Sequence, residues 1–116
     1  MGTMLTDEVR YKLLRILEAN PELSQRQVAR ALGISLGKTN YCLKALVERG
    51  LVKVSNFRNN ENKVLYTYYL TPRGIEEKAR VTLRFLQRKL REYEELHAEI
   101  EQIRNDVRAG GASRDG

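Results

Sequence analysis

Apolar positions along this chain follow a helical period, then a strand period, then a helical one again. From Val9 they recur at Val9, Leu13, Ile16 and Leu17, with Tyr11 and Leu14 widening the stripe. That spacing predicts an amphipathic helix of about four turns. Thr6 is its natural N-cap, and Asp7 and Glu8 suit the positive end of its dipole. Asn20-Pro21 ends it, because the residue before proline avoids the αR region. Ser24 opens a second helix, with Gln27 at capping-box spacing and Val28, Ala29 and Leu32 as its apolar stripe. Gly33 stops that helix, since glycine adopts positive φ without a Cβ penalty. Ser35 caps a third, expected to turn Leu36, Leu43, Leu46 and Val47 inward with Thr39 beside them, and to end at Gly50.

Beyond Gly50 the residues favour strand. Leu51–Phe57 and Lys63–Leu70 are rich in β-branched and aromatic residues, and the polar, Asn-rich run Arg58–Asn62 between them reads as a turn. Thr71 and Pro72 then suit the cap and first position of a last helix. No proline follows, so this helix is expected to reach about Val107. Two short helices around the turn Gly33-Ile34-Ser35 form a helix-turn-helix, and the hairpin after it is a wing. The expected fold is mostly α (α+β): a winged helix-turn-helix with a two-stranded wing and a long C-terminal dimerisation helix. The expected division is 4–71 for the DNA-binding domain, 72–107 for the dimerisation helix and 108–116 for a disordered, glycine-containing tail.

The last helix carries an apolar seam of Ala79, Leu83, Leu86, Leu90, Tyr93, Leu96, Ile100, Ile103 and Val107. It is a heptad pattern with a local skip between Tyr93 and Leu96. A helix too long to pack on so small a domain buries such a seam against a copy of itself. Leu83, Leu86, Leu90, Tyr93, Leu96, Ile100, Ile103 and Val107 are therefore the expected homodimer interface. Lys78, Arg80, Arg84, Arg88, Lys89 and Arg91 form a basic block, followed by the acidic Glu92, Glu94, Glu95, Glu99 and Glu101, an order that favours antiparallel contact.

Charge narrows the class of partner. The 116 residues carry 21 Lys and Arg against 15 Asp and Glu, a net charge of +6 and a pI near 9.7. A basic balance favours a polyanion, of which double-stranded DNA fits the helix-turn-helix. The major groove admits one α-helix, and Asn and Lys side chains read its base edges. On the third helix Ser35, Gly37, Lys38, Asn40, Tyr41 and Lys44 are the candidate DNA-binding residues. Ser24, Gln25 and Arg26, at the start of the second, could hold a phosphate. On the wing the candidates are Arg58, Asn60 and Lys63, suited to the negative minor groove.

Other chemistries find no constellation. One His and one Cys supply neither a nucleophile–base pair nor a metal set, and no Gly-rich phosphate loop is present, so no enzyme activity, metal or cofactor is expected. Cys42 reads as a packing residue and His97 as a flank of the seam. No apolar run approaches the roughly 18 residues of a membrane span, and no secretory signal is visible. A single cysteine suits a reducing cytoplasm. Gly2 and Thr6 fit a loose myristoylation pattern, but Met1-Gly2-Thr3 reads better as an addition before a natural start at Met4.

The run GISLGKTNYCLKALVERGLVK, then the wing and YYLTPRGIEEKA, resembles MarR-type winged-helix regulators, and most closely the small bacterial subgroup described as EPS-associated. The resemblance covers roughly Met4–Val107. It implies a dimeric, sequence-specific transcription regulator, a repressor at exopolysaccharide genes, with Leu36–Lys44 as the recognition region and Arg58–Lys63 as the wing. The tip here reads Asn-Asn-Glu-Asn-Lys, where many MarR-type proteins carry Asp-x-Arg. A rival reading is a winged-helix adaptor that binds proteins without sequence-specific DNA contact. A small-molecule effector would need a cavity near Tyr11, Tyr66, Tyr68 and the long helix.

Overall fold

The structure, a computed structural model, describes residues 5–115, with side chains through Gly111. Its elements are α1 (Asp7–Ala19), α2 (Gln25–Leu32), α3 (Leu36–Glu48), β1 (Val52–Arg58), β2 (Val64–Leu70) and α4 (Pro72–Asp115). The expected winged helix-turn-helix is what forms. The myristoylation pattern and the proposed start at Met4 fall outside the described residues.

The chain divides into two compact units, with the boundary after Phe85. In the first, Leu13, Leu14 and Leu17 of α1 meet Val28 of α2, Cys42, Leu43 and Leu46 of α3, Val52 of β1 and Val81 of α4 in one core. Each of these side chains is fully buried, and truncating a core leucine to alanine typically costs about 2–5 kcal/mol. Around the core, Tyr11 stacks on Phe85 with ring centroids 4.9 Å apart, and Lys78 Nζ reaches Glu18 Oε1 at 2.6 Å. Arg84 donates two hydrogen bonds to Asp7, at 3.0 and 3.2 Å, and this bonding raises the guanidinium pKa further. The first fourteen residues of α4 thus belong with the winged helix, and its compact unit extends past the expected boundary at Thr71.

Two further expectations are modified. Leu36 and Val47 were expected to face inward, yet both are exposed. The inner face of α3 consists of Leu43 and Leu46 with Thr39, expected beside them, and Cys42, expected as a packing residue. Thr39 tolerates full burial because its hydroxyl donates to the Ser35 carbonyl at 2.9 Å. The last helix does not end near Val107: backbone 108–115, expected to be disordered, continues α4 as far as Asp115. Two glycines cost about 1 kcal/mol each within a helix, but extending a formed helix needs no new nucleus.

The hairpin is antiparallel, with Val52 opposite Leu70 and Arg58 opposite Val64. Its inner end is sewn to the helices. Tyr68 N–H donates to the Pro21 carbonyl at 2.9 Å, and Thr71 N–H to the Leu51 carbonyl at 3.0 Å. In the second unit, Leu86, Leu90, Tyr93, Leu96, Ile100, Ile103 and Val107 are all exposed, each by 40% or more.

Candidate nucleic-acid interface

The site begins with the turn between α2 and α3. Ser24 Oγ accepts from Gln27 N–H at 3.1 Å, and Gln27 Oε1 accepts from Ser24 N–H at 2.9 Å, a complete capping box. At the other end of α2, Gly33 has φ +67°. Its N–H reaches the Arg30 carbonyl and that of Ile34 the Ala29 carbonyl, the paired bonds of a Schellman stop. Ser35 then caps α3, its Oγ accepting from Lys38 N–H at 3.0 Å. Both serine hydroxyls keep a proton to donate outward.

This turn aims α3. With Thr39, Cys42, Leu43 and Leu46 buried, the helical repeat places Gly37, Tyr41, Lys44 and Glu48 along the opposite side. Asn40 flanks that stripe and is exposed. Lys38 lies on the other flank, turned toward α1, half-buried in a shallow recess with Glu8, Val9, Lys12, Leu32 and Ile34. Of the candidate residues, Tyr41, Lys44 and Asn40 are therefore the most outward, with Lys38 at the margin. Gly37 is open: a Cβ there would meet nothing within 4 Å. Glu48 closes the stripe with a negative charge, so its uncharged and basic groups all precede residue 48. Burial raises the pKa of the Cys42 thiol, against a smaller pull from Lys38, which keeps it protonated and unreactive.

Of the phosphate candidates, Arg26 is exposed. Gln25 is half-buried, and its Nε2 donates to Tyr68 Oη at 3.0 Å, tying the start of α2 to the sheet. No local pattern signals this long-range clasp. On the wing, Asn59 Oδ1 accepts from Glu61 and Lys63 N–H at 2.9 and 3.0 Å, and Asn62 takes φ +63°. The polar tip is thus a built turn. Arg58 Nη1 donates to Asn62 Oδ1 at 3.4 Å and Lys63 Nζ lies 3.3 Å from Glu61, while Asn60 is exposed.

Residues 6–53 match the family of winged helix-turn-helix DNA-binding domains. This segment has the winged helix-turn-helix fold. The chain is similar to Ptr1, an HTH-type transcriptional regulator of Methanocaldococcus jannaschii. The two are 31% identical over 79 residues, 63% of this chain and 53% of Ptr1. The transcriptional regulator PcaV of Streptomyces coelicolor, solved with its natural ligand, aligns at a TM-score of 0.56 and 26% identity. The alignment covers 67% of this chain and 54% of PcaV. Staphylococcus aureus MarR, solved with salicylate and kanamycin, aligns at a TM-score of 0.52 and 23% identity over 70% of this chain and 53% of MarR. The chain spans about half the length of these proteins. The winged helix-turn-helix fold is that of MarR structures.

The aromatic residues named for an effector cavity do not converge. Tyr11 is stacked on Phe85, while Tyr66 and Tyr68 line a groove of about 580 Å³ against Glu22, Ser24 and Gln25. Among the described residues no His, Cys, Asp and Glu cluster could hold a metal, and no helix is long and apolar enough to cross a membrane.

Proposed function

We propose that this chain is a MarR-type transcription regulator that binds a two-part, pseudo-palindromic DNA site as a homodimer and represses the adjoining genes. The observation that carries the reading is the outward stripe of α3. Gly37, Tyr41 and Lys44 are exposed there with Asn40 beside them, on a helix fixed by the Gly33 turn and adjoined by the wing. Ser24, Ser35 and Arg26 supply phosphate contacts, and Arg58, Asn60 and Lys63 extend toward the minor groove. The exposed seam of α4 supplies the dimer contact. Repression needs only occupation of a site and no additional surface. A role at exopolysaccharide genes is the finest form of the reading, implied by the family resemblance alone, whose most specific segment is Ser35–Leu46.

Selection of bound duplexes from a random pool tests it. A two-part motif should emerge, with half-sites about one helical turn apart, or a multiple of it. Asn40→Ala and Lys44→Ala should each relax preference at particular positions by about 1–3 kcal/mol. Arg26→Ala should weaken all sequences alike. Gly37→Ala should stabilise the fold by up to about 1 kcal/mol, because alanine favours the helix and meets no neighbour. Gly37→Trp should keep the fold and lose DNA. Unchanged preference in the Asn40 and Lys44 variants would remove α3 as the reading helix, and no binding to any duplex at low salt would favour the adaptor.

A further inference from the structure

The seam of α4 has a symmetry that its heptad reading leaves unused. Counted outward from Tyr93, apolar residues fall three, seven, ten and fourteen positions away on each side: Leu90 and Leu96, Leu86 and Ile100, Leu83 and Ile103, Ala79 and Val107. The skip between Tyr93 and Leu96 centres the palindrome on a seam residue, Tyr93, whereas an unbroken heptad repeat has its centres between seam residues. We propose that the exposed face of Leu86–Val107 is covered by a second copy running antiparallel, with the two-fold axis of the dimer at Tyr93. This rests on the homodimer proposed above and gives it a direction and a centre.

A parallel, in-register pair needs the heptad repeat but no centre, because each residue meets its own copy. An antiparallel pair requires a palindrome, because residues equidistant from the axis must meet. Leu90 then packs on the partner's Leu96, Leu86 on the partner's Ile100, and Tyr93 on itself. All five side chains are 40–65% exposed in the single chain.

Charge is an independent second observation. Arg88, Lys89 and Arg91 precede the axis, and Glu94, Glu95 and Glu99 follow it. Antiparallel pairing sets Arg91 level with the partner's Glu95 and Arg88 near the partner's Glu99. Parallel pairing sets each block against its own copy. Within one chain Arg88 and Lys89 share a single carboxylate, Glu92, at 3.5 and 3.1 Å. Hydrogen bonding from Lys89 and the charges of both cations hold Glu92 below the usual carboxylate range. Among the described residues Arg91, Glu94, Glu95 and Glu99 form no ion pair. The acidic groups a partner's basic block would meet are therefore unspent.

Cysteine cross-linking of the full chain tests the arrangement, with buried Cys42 giving an unlinked wild-type control. Tyr93→Cys should link to its own copy on oxidation. Leu86→Cys alone should not, whereas Leu86→Cys mixed with Ile100→Cys should give a linked heterodimer. Spin labels at exposed Gln102, nine residues from the axis, should lie about 27 Å apart along it, against about 10 Å for a parallel pair. Self-linking of Leu86→Cys, or the short label distance, would overturn the antiparallel axis while leaving a homodimer. A monomer at all concentrations in sedimentation would overturn both. Duplex binding by each variant, measured alongside, shows that its winged helix is folded.

Discussion

Gly74→Ala should unfold this protein at a temperature where the wild type is intact. Gly74 lies where the end of α3, the start of β1 and the start of α4 converge. Thr71 Oγ1 donates to the Gly50 carbonyl at 2.6 Å and accepts from Gly74 N–H at 3.1 Å. Gly50, at φ +73°, carries the chain out of α3 just before this contact. A Cβ on Gly74 would stand 2.0 Å from the Leu51 carbonyl oxygen and 3.0 Å from its carbon. Neither backbone atom can move without breaking the Thr71 N–H bond to Leu51 or displacing buried Val52. Overpacking against fixed backbone should cost about 3 kcal/mol or more, lowering the melting temperature by roughly 15 °C. Thermal unfolding followed by circular dichroism checks this, with Gly37→Ala as the matched control. Equal melting of Gly74→Ala and wild type would show that the joint is looser than its geometry.

Placing charge in the α4 seam should separate dimerisation from folding. Leu90→Asp combined with Leu96→Asp puts two carboxylates on each face that the partner would cover. Both positions are exposed in the single chain and lie in the second compact unit, so the core around Leu13, Leu17 and Leu46 is untouched. The variant should sediment as a folded monomer with an unchanged melting profile for the winged helix. Its affinity for a two-part duplex should fall by about 100-fold or more, because the second half-site loses its high effective concentration. Affinity for an isolated half-site should stay the same. A double variant that remains dimeric would move the interface away from this seam.

Much of the fold was legible because its signals are local. The caps Thr6, Ser24 and Ser35 and the stop at Gly33 each act within one helical turn, and each lies where the pattern put it. The inner face of α3 was harder. Apolarity alone favours Leu36 and Val47 over Thr39 and Cys42. What decides is that a threonine hydroxyl can be satisfied by its own helix, whereas Leu36 lies at the helix start, off the core side. The division after Thr71 missed a second stripe on α4. Lys78, Val81 and Phe85 recur at helical spacing beside the seam, and with Glu77 and Arg84 they bind α4 to α1 and the core. The outer side of α3 follows once its inner side is known, which is how Lys38 passes to the flank while Tyr41 and Lys44 stay central. The bonds from Gln25 to Tyr68 and from Tyr68 to Pro21 join distant segments and leave no periodic trace.

Those two bonds have a mechanical consequence. They tie the hairpin to the entrance of the helix-turn-helix at Tyr68, whose hydroxyl accepts from the Gln25 side chain and whose N–H donates to the Pro21 carbonyl. On the function proposed above, the helix-turn-helix and the base of the wing would meet a duplex as one joined template. To the extent that such a joint resists bending, accommodation would fall to the duplex, and part of the preference for a site would reside in how readily its base steps bend, at positions no side chain touches.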